Sequence, residues 1–506
     1  MQGAHISEGK FGLREPTPAR FFLQRSYYPW LVVGTTCIGA FIGQVDASIV
    51  QLALPALERS FDAPLDQVSW VAVAYVLAFA SVLPVFALIA EMFGRKWMYL
   101  FGFGLFGLSS ALCGLAPGLA WLIAFRVLQG LSGAMLGANS IVILVAAAGP
   151  ARRGRAMGLF AAAQAVGVSV GPALGGFLLG ALSWHWIFWV NVPFALVAVI
   201  LGWLVVPITT KVSAERRFDW QGALLLMPAL IALLMAVMEA HAWGLLSVPT
   251  IGCGLAAAAL LAAFVWREHA TRSPLVDLHL FRSAAFSGGC LAAFLAYAML
   301  YGMFFAMSFA LVRGYHDPAV AAGLRLTIVP LALGIVAPFS GALYELRPRL
   351  VMLGGMAVCI AAVLALTATI TGGPRSLPGV MIALAAFGAG LGIFIAPNNS
   401  ATIASAPADR SGEAGGLLNL MRSFGTGVGV AAASSLLAWR LEMATGVAER
   451  TIGVAKPALL AAVGDVMLML ATFAIIAGAA SMLRARPERP TGSFVVAEQA
   501  RQRAAG

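Results

Sequence analysis

Charge is scarce in this 506-residue chain, where Asp, Glu, Lys and Arg make up 10% of the residues, against roughly a quarter in soluble domains. So few ionic groups cannot clothe a water-facing surface, which excludes a soluble globular fold. Cysteine is sparse too: Cys37, Cys113, Cys253, Cys290 and Cys359 all fall inside apolar runs, without C-x-x-C or histidine-paired spacing. Neither a metal centre nor a disulfide framework is indicated, and the five read as packing residues. A phosphate-binding loop is missing, so nucleotide hydrolysis has no machinery here. Gly102-Phe-Gly-Leu-Phe-Gly107 has the glycine spacing of a dinucleotide fingerprint, but it lies mid-span with no strand before it and is set aside.

Apolar length is what the chain has in excess. Hydrophobic residues make up 61% of it and the mean hydropathy is +0.90. About fourteen runs reach the roughly 20 residues that cross a bilayer core, from a first at 30–55 to a last at 459–483. The pattern predicts an all-α polytopic membrane protein. The first run is too long for a signal peptide and no small-residue cleavage pattern follows it, so the N-terminus is expected to be retained. The formal charge of +11 is not spread evenly: 23 of the 32 Lys and Arg residues fall on the side of the N-terminus. That asymmetry predicts cytoplasmic termini and an anionic lipid surface, rather than nucleic acid, as the partner of the basic charge.

Gly167, Gly171 and Gly175 recur every four residues along one helix face, where a neighbouring backbone can approach closely. Pro172 removes an internal hydrogen bond beside them, and with Gly176 makes a bendable span. A plain GxxxG packing face accounts for the same spacing. The chain also repeats internally. Gly158-Leu159, Gln164, Gly167 and Gly171 recur 258 residues later as Gly416-Leu417, Arg422, Gly425 and Gly429. The Glu91-to-Arg95 interval after the second span recurs 254 residues on as Glu345 to Arg349. A six-helix unit repeated after eight spans leaves two helices inserted between the bundles.

Gly167 to Gly176 resembles the antiporter signature of the major facilitator superfamily, which is typical of proton-coupled exporters there. Val45-Asp46-Ala-Ser-Ile-Val-Gln51-Leu-Ala-Leu-Pro55 resembles the first-helix motif of that superfamily's fourteen-span drug:proton antiporters. Arg126-Val-Leu-Gln129-Gly130 is similar to their motif B, Trp184 to Pro193 to their fifth-to-sixth helix junction, and Ser273 to Phe281 to their entry to the ninth helix. The resemblance implies a major facilitator fold with two six-helix bundles plus two inserted helices. The expected division is an N-tail at 1–28, a first bundle at 29–208, the insertion and linker at 209–284, a second bundle at 285–483 and a C-tail at 484–506. The cytoplasmic motif departs, reading Ala87-Leu-Ile-Ala-Glu91-Met-Phe-Gly94-Arg95-Lys96, with a glycine, an aspartate and the first arginine of the family pattern replaced. Glu91, Gly94, Arg95 and Lys96 are expected to gate the cytoplasmic side, Glu91 pairing with a basic residue of a neighbouring loop.

Among carboxylates, only Asp46 lies well inside an expected span. An ionised group there costs at least a few kcal/mol unless it is paired, hydrated or protonated, which makes Asp46 a candidate proton carrier. A structural partner for a buried arginine is the other reading. Burial favours its protonated form and a nearby guanidinium its ionised form, and the resemblance implies that Arg126 supplies that guanidinium. Arg422 and Arg325 also fall within spans, and arginines facing a cavity would favour neutral, zwitterionic or anionic amphiphiles over multivalent cations. Gln44, Tyr75, Asn139, Gln164, Tyr301, Asn398, Asn419 and Arg422 are candidates to line that cavity, and each also suits interhelical packing. The reading is a monomeric, proton-coupled antiporter of a bacterial inner membrane, exporting hydrophobic small molecules with no cofactor beyond the proton. A periplasmic adaptor fits a host with an outer membrane. A dedicated natural-product or lipid exporter, or a transport-dead sensor on the same fold, stands as the alternative.

Overall fold

A chain this apolar must satisfy its backbone groups within its own segments, and every regular element among the described residues is helical. The computed structural model describes residues 15–209, 219–244, 246–271, 278–407, 410–445 and 451–483. Most of the linker after residue 209, residues 273–277 of the Ser273 motif and the C-tail lie outside them. The long helices are α1 (Tyr28–Phe61), α2 (Leu65–Phe93), α3 (Arg95–Gly114), α4 (Leu119–Ala148), α5 (Arg153–Ala181), α6 (Asn191–Val205) and α7 (Trp220–Met238). The series continues with α8 (Val248–Ala270), α9 (Ala284–Phe309), α10 (Ala319–Leu346), α11 (Pro348–Thr369), α12 (Leu377–Ala404), α13 (Ser411–Thr445) and α14 (Lys456–Met482). With α6 extended back to Trp186, thirteen of these are long and apolar enough to cross a membrane among the described residues. The other, α13, carries Glu413, Arg422, Arg440 and Glu442 and falls outside that composition range.

The internal repeat reappears as repeated packing. Helix α1 lies on α5 as α9 lies on α13, α2 on α4 as α10 on α12, and α3 on α6 as α11 on α14. The inserted α7 and α8 pack on each other, and α7 sits against both α2 and α13. The halves meet through α5 with α10, α2 with α13, and α1 with α9.

Several of these contacts lie at one end. Helix α1 does not stop at Pro55 but continues through it to Phe61, which buries Glu58 completely. Asp46 is therefore not the only deep carboxylate. Arg313, in the π-helical turn that ends α9, donates from Nη2 to Glu58 Oε2 at 3.3 Å and to the Pro55 carbonyl at 2.8 Å. The backbone N–H of Thr451, in the α13–α14 connection, donates to Glu58 Oε1 at 2.6 Å, and its hydroxyl donates to Oε2. Nearby, Ser69 and Ser434 share a 2.6 Å hydrogen bond between α2 and α13, and a side chain at Gly176 or Gly180 would run into α10 at Ala319 or Val320. Exposed apolar side chains run along all of α10, from Val320 and Leu324 to Leu331, Ile335, Phe339 and Leu343, while only towards its far end do glycines, Gly334 and Gly341, meet nothing.

Glu58 thus latches the closed end. Removing one partner of a buried ion pair costs about 3–5 kcal/mol, so Glu58→Ala should open that end in most molecules. In a background without the five native cysteines, Gly180→Cys with Val320→Cys should cross-link readily and then lose at least tenfold in rate with Glu58→Ala; an unchanged rate would show that the latch is not needed.

Candidate transport site

Asp46 sits at the centre of a buried polar cluster. Its side chain is fully buried, and donors from two other helices claim both oxygens. Arg126 Nη1 on α4 reaches Oδ2 at 2.6 Å, Gln129 Nε2 on the same helix reaches Oδ1 at 2.9 Å, and Asn191 Nδ2 at the start of α6 reaches Oδ1 at 3.0 Å. Arg126 is held in turn, donating from Nε to the Val71 carbonyl at 2.8 Å and from Nη1 to Gln129 Oε1 at 2.6 Å, with its guanidinium 4.3 Å from the Tyr75 ring centre. Gln129 Nε2 also donates to Ser110 Oγ of α3 at 2.8 Å. Every partner of the carboxylate is a donor, the pattern of an ionised, acceptor-only group. Three donors occupy three of the roughly four acceptor sites of the carboxylate, so a proton arriving there competes with Arg126, Gln129 and Asn191 for its lone pairs.

Gln129 and Asn191 stand in the sequence motifs Arg126 to Gly130 and Trp184 to Pro193, but neither is assigned a site role there. The three-residue spacing of Arg126 and Gln129 puts them on one helix face, which is a usable signal. Asn191 has no such spacing signal, because the α5–α6 connection that aims it is built from long-range contacts. In that connection Trp184 Nε1 donates to Ser60 Oγ at 3.0 Å and His185 Nδ1 lies 2.7 Å from the Gly114 carbonyl.

The glycines of α5 face two ways. A Cβ at Gly167 would lie 2.6 Å from the Phe41 carbonyl of α1, one at Gly171 would overlap Ser48 Oγ, and one at Gly175 would lie 2.8 Å from Ile49 Cγ1. Gly176 instead faces α10, where a Cβ would meet the Ala319 carbonyl at 2.5 Å, and the Pro172 carbonyl crowds Gly323. The second half repeats the device, with Gly425 and Gly429 of α13 against the Phe294 and Ala298 carbonyls of α9.

The remaining candidates divide. Tyr75 lies at the Asp46 cluster, and Tyr301 Oη donates across the halves to Gln44 Oε1 at 3.4 Å. Tyr301 is within electrostatic range of both Arg422 and Asp46, so these groups share one central region. Arg422 has no carboxylate partner among the described residues; its guanidinium lies 4.4 Å from the Tyr297 ring centre and its buried Nε has no acceptor. Gln164 and Asn419 are half-buried. Asn139 and Asn398 do not join the group. Asn139 donates to the Met135 carbonyl of its own helix at 2.8 Å, and Asn398 to the Gly289 carbonyl at 3.0 Å, tying α12 to α9. Arg325 turns outward to an ion pair with Asp317, Arg440 pairs with Asp465 at 2.6 Å, and Glu239 accepts from Trp70 Nε1 at 2.8 Å.

The expected gate is rearranged. Glu91 pairs with Arg95 one turn away at 3.0 Å, not with a neighbouring loop. Lys96 is fully buried and donates from Nζ to the Trp203 and Val206 carbonyls at 2.9 and 2.7 Å. Those carbonyls end α6 and lack intrahelical partners, so Lys96 caps a helix inside one half and is not free to gate. Gly94 makes the one-residue α2–α3 turn at φ +102°. Against it sits Glu15 of the N-tail, which accepts from Lys96 N at 3.1 Å and from the Thr209 hydroxyl at 2.8 Å.

The family model for the Major Facilitator Superfamily matches residues 36–430. The chain is 34% identical over 412 residues to the multidrug resistance protein Stp of Mycobacterium tuberculosis, covering 81% of this chain and 76% of that one. It is 28% identical over 414 residues to the tetracenomycin C resistance and export protein of Streptomyces glaucescens, covering 82% and 77%. Among solved structures it is similar to a bacterial homologue of the human lysosomal transporter Spinster, inward-facing and unoccupied, with a TM-score of 0.66 at 17% identity over 92% of this chain and all of that one.

The α5 contacts predict a sharp size limit. Gly171→Leu places a branched side chain where Ser48 lies, at an overpacking cost of roughly 1–3 kcal/mol or more. Transport per folded molecule should fall further than the monodisperse yield does; equal specific activity would mean that α1 and α5 need not stay in contact.

Proposed function

The chain belongs to the Major Facilitator Superfamily, as a transporter related to multidrug efflux pumps rather than an enzyme, and on that premise we propose that it is a proton-coupled antiporter exporting hydrophobic or amphiphilic small molecules. The observation that carries the coupling is the three-donor cage around Asp46. A proton arriving there removes the negative charge that holds Arg126, Gln129 and Asn191, which are tied in turn to α2, α3 and α6. Proton binding and helix packing are thereby linked.

With both termini cytoplasmic, as the basic residues favour, the end latched by Glu58 is the outer one and the conformation is open inward. Rocking of the bundles about a midplane site then exposes it to either side in turn. A membrane potential of 100 mV is worth about 2.3 kcal/mol for each charge moved, enough for well over tenfold accumulation before any pH gradient is added. Arg422, unpaired beside Tyr297 and in range of Tyr301, makes the central region favour anionic and neutral amphiphiles.

Two substitutions test this. Asp46→Asn keeps the shape of the side chain but cannot exchange a proton, so substrate-driven proton movement in proteoliposomes should vanish while the protein still inserts. Proton-coupled efflux at the original rate would remove Asp46 from the mechanism. Arg422→Gln restores the residue type found at Gln164, and the ratio of cation to anion transport for a matched lipophilic pair should rise tenfold for each 1.4 kcal/mol of repulsion removed. An unchanged ratio in a mutant that still transports would show that Arg422 faces protein instead of substrate.

A further inference from the structure

We propose that a pocket at the foot of α1, away from the transport path, binds the phosphate headgroup of an anionic membrane lipid. The pocket has a volume of about 450 Å³ and lies between the start of α1 and the α4–α5 turn, lined by Ser26, Tyr27, Trp30, Ala151, Arg152 and Arg155. Its charge is of one sign. Residues 20–30 and 145–160 contain no Asp or Glu, and neither Arg152 nor Arg155 makes an ion pair with a described residue. The Arg155 guanidinium lies 4.8 Å from the ring centre of Trp30. Stacking holds the cation in place through its flat face and leaves its N–H edges free for a phosphate.

The surroundings favour a lipid over a soluble anion. Tyr27 and Trp30 stand at the end of a spanning helix, the level at which amphipathic aromatics meet headgroups. From Arg155 an apolar lane runs along α5: Leu159, Val166, Val170 and Phe177 are all exposed. At 100° per residue these four and Arg155 fall within about 60° of one another, while Gln164 lies on the far side of the helix. The lane extends about 33 Å from Arg155 to Phe177, the length of a bilayer core, so acyl chains rooted at the pocket have a surface to follow. The phosphate diester supplies the charge that two unpaired guanidiniums lack.

The test is native mass spectrometry of the full chain released from detergent, with phosphatidylglycerol and phosphatidylcholine of identical acyl chains as probes. Wild type should retain phosphatidylglycerol in preference. Arg152→Gln with Arg155→Gln should weaken that retention by about 30-fold, since each basic residue at a membrane surface contributes about fivefold. Arg347→Gln, an exposed arginine in the α10–α11 connection, should leave it unchanged. Both pocket arginines are on the surface, so the double variant should keep the wild-type melting temperature. Equal phosphatidylglycerol retention in wild type and double variant, or equal retention of the two lipids, would overturn the site. Displacement of the lipid by millimolar inorganic phosphate would overturn the lipid assignment and leave a soluble-anion site.

Discussion

One carboxylate with no exposed surface organises the first half of this protein. Asp46 accepts from Arg126, Gln129 and Asn191, and these reach it from α4 and α6 while Ser110 of α3 and the Val71 carbonyl of α2 hold the donors in turn. Five helices are thereby indexed to a single buried charge. Replacing such a pair with apolar residues is often neutral or stabilising, so stability alone does not explain its retention. What the cluster supplies is a link between one buried charge and the packing of five helices, which is what the proposed proton coupling needs.

For packing to change in a coordinated way, the helices that move must do so as bodies. The α1–α5 and α9–α13 pairs are drawn together at glycines whose missing side chains let carbonyls approach, and the same device recurs between α5 and α10 across the halves. Across the halves, glycine approaches run along α5 from about Pro172 to Gly180. The Glu58 latch lies at the same end. Close backbone approaches within each half favour rotation of halves over internal repacking.

How much of this the sequence carries depends on how costly each residue is in an apolar setting. Asp46 and Arg126 stand out because ionised groups at that depth need a reason, and the structure brings them together. Amides are cheaper to bury, which is why Gln129 and Asn191 draw no role of their own within their motifs, and why Asn139 and Asn398, equally conspicuous, bond only to backbone carbonyls, Asn139 within its own helix and Asn398 across to α9. Glu58 escapes for a different reason. Pro55 reads as the end of a span, whereas an interior proline costs only one backbone bond, and here the Pro55 carbonyl serves Arg313. The Glu15 contacts, spanning 81 and 194 residues of chain, leave no local trace.

The repeat also shows where the chemistry is absent. In the first half a side chain at Gly130 would strike the Tyr75 carbonyl, and in the second a side chain at Gly388 would strike that of Val329, which sets α4 and α12 in register at 258 residues. Arg126 and Gln129 then correspond to Leu384 and Phe387. Gly167 against Phe41 and Gly425 against Phe294 set α1 and α9 in register at 253, so Asp46 corresponds to Met299. All three counterparts are fully buried and apolar. The second half therefore keeps the scaffold without the titratable cluster, and its one deep charge lacking a carboxylate partner among the described residues is Arg422, where the first half has Gln164. On the proposed mechanism, the proton site therefore belongs to the first bundle alone, while the second bundle contributes the positive charge of Arg422. That division would separate energy coupling from substrate choice between the two halves.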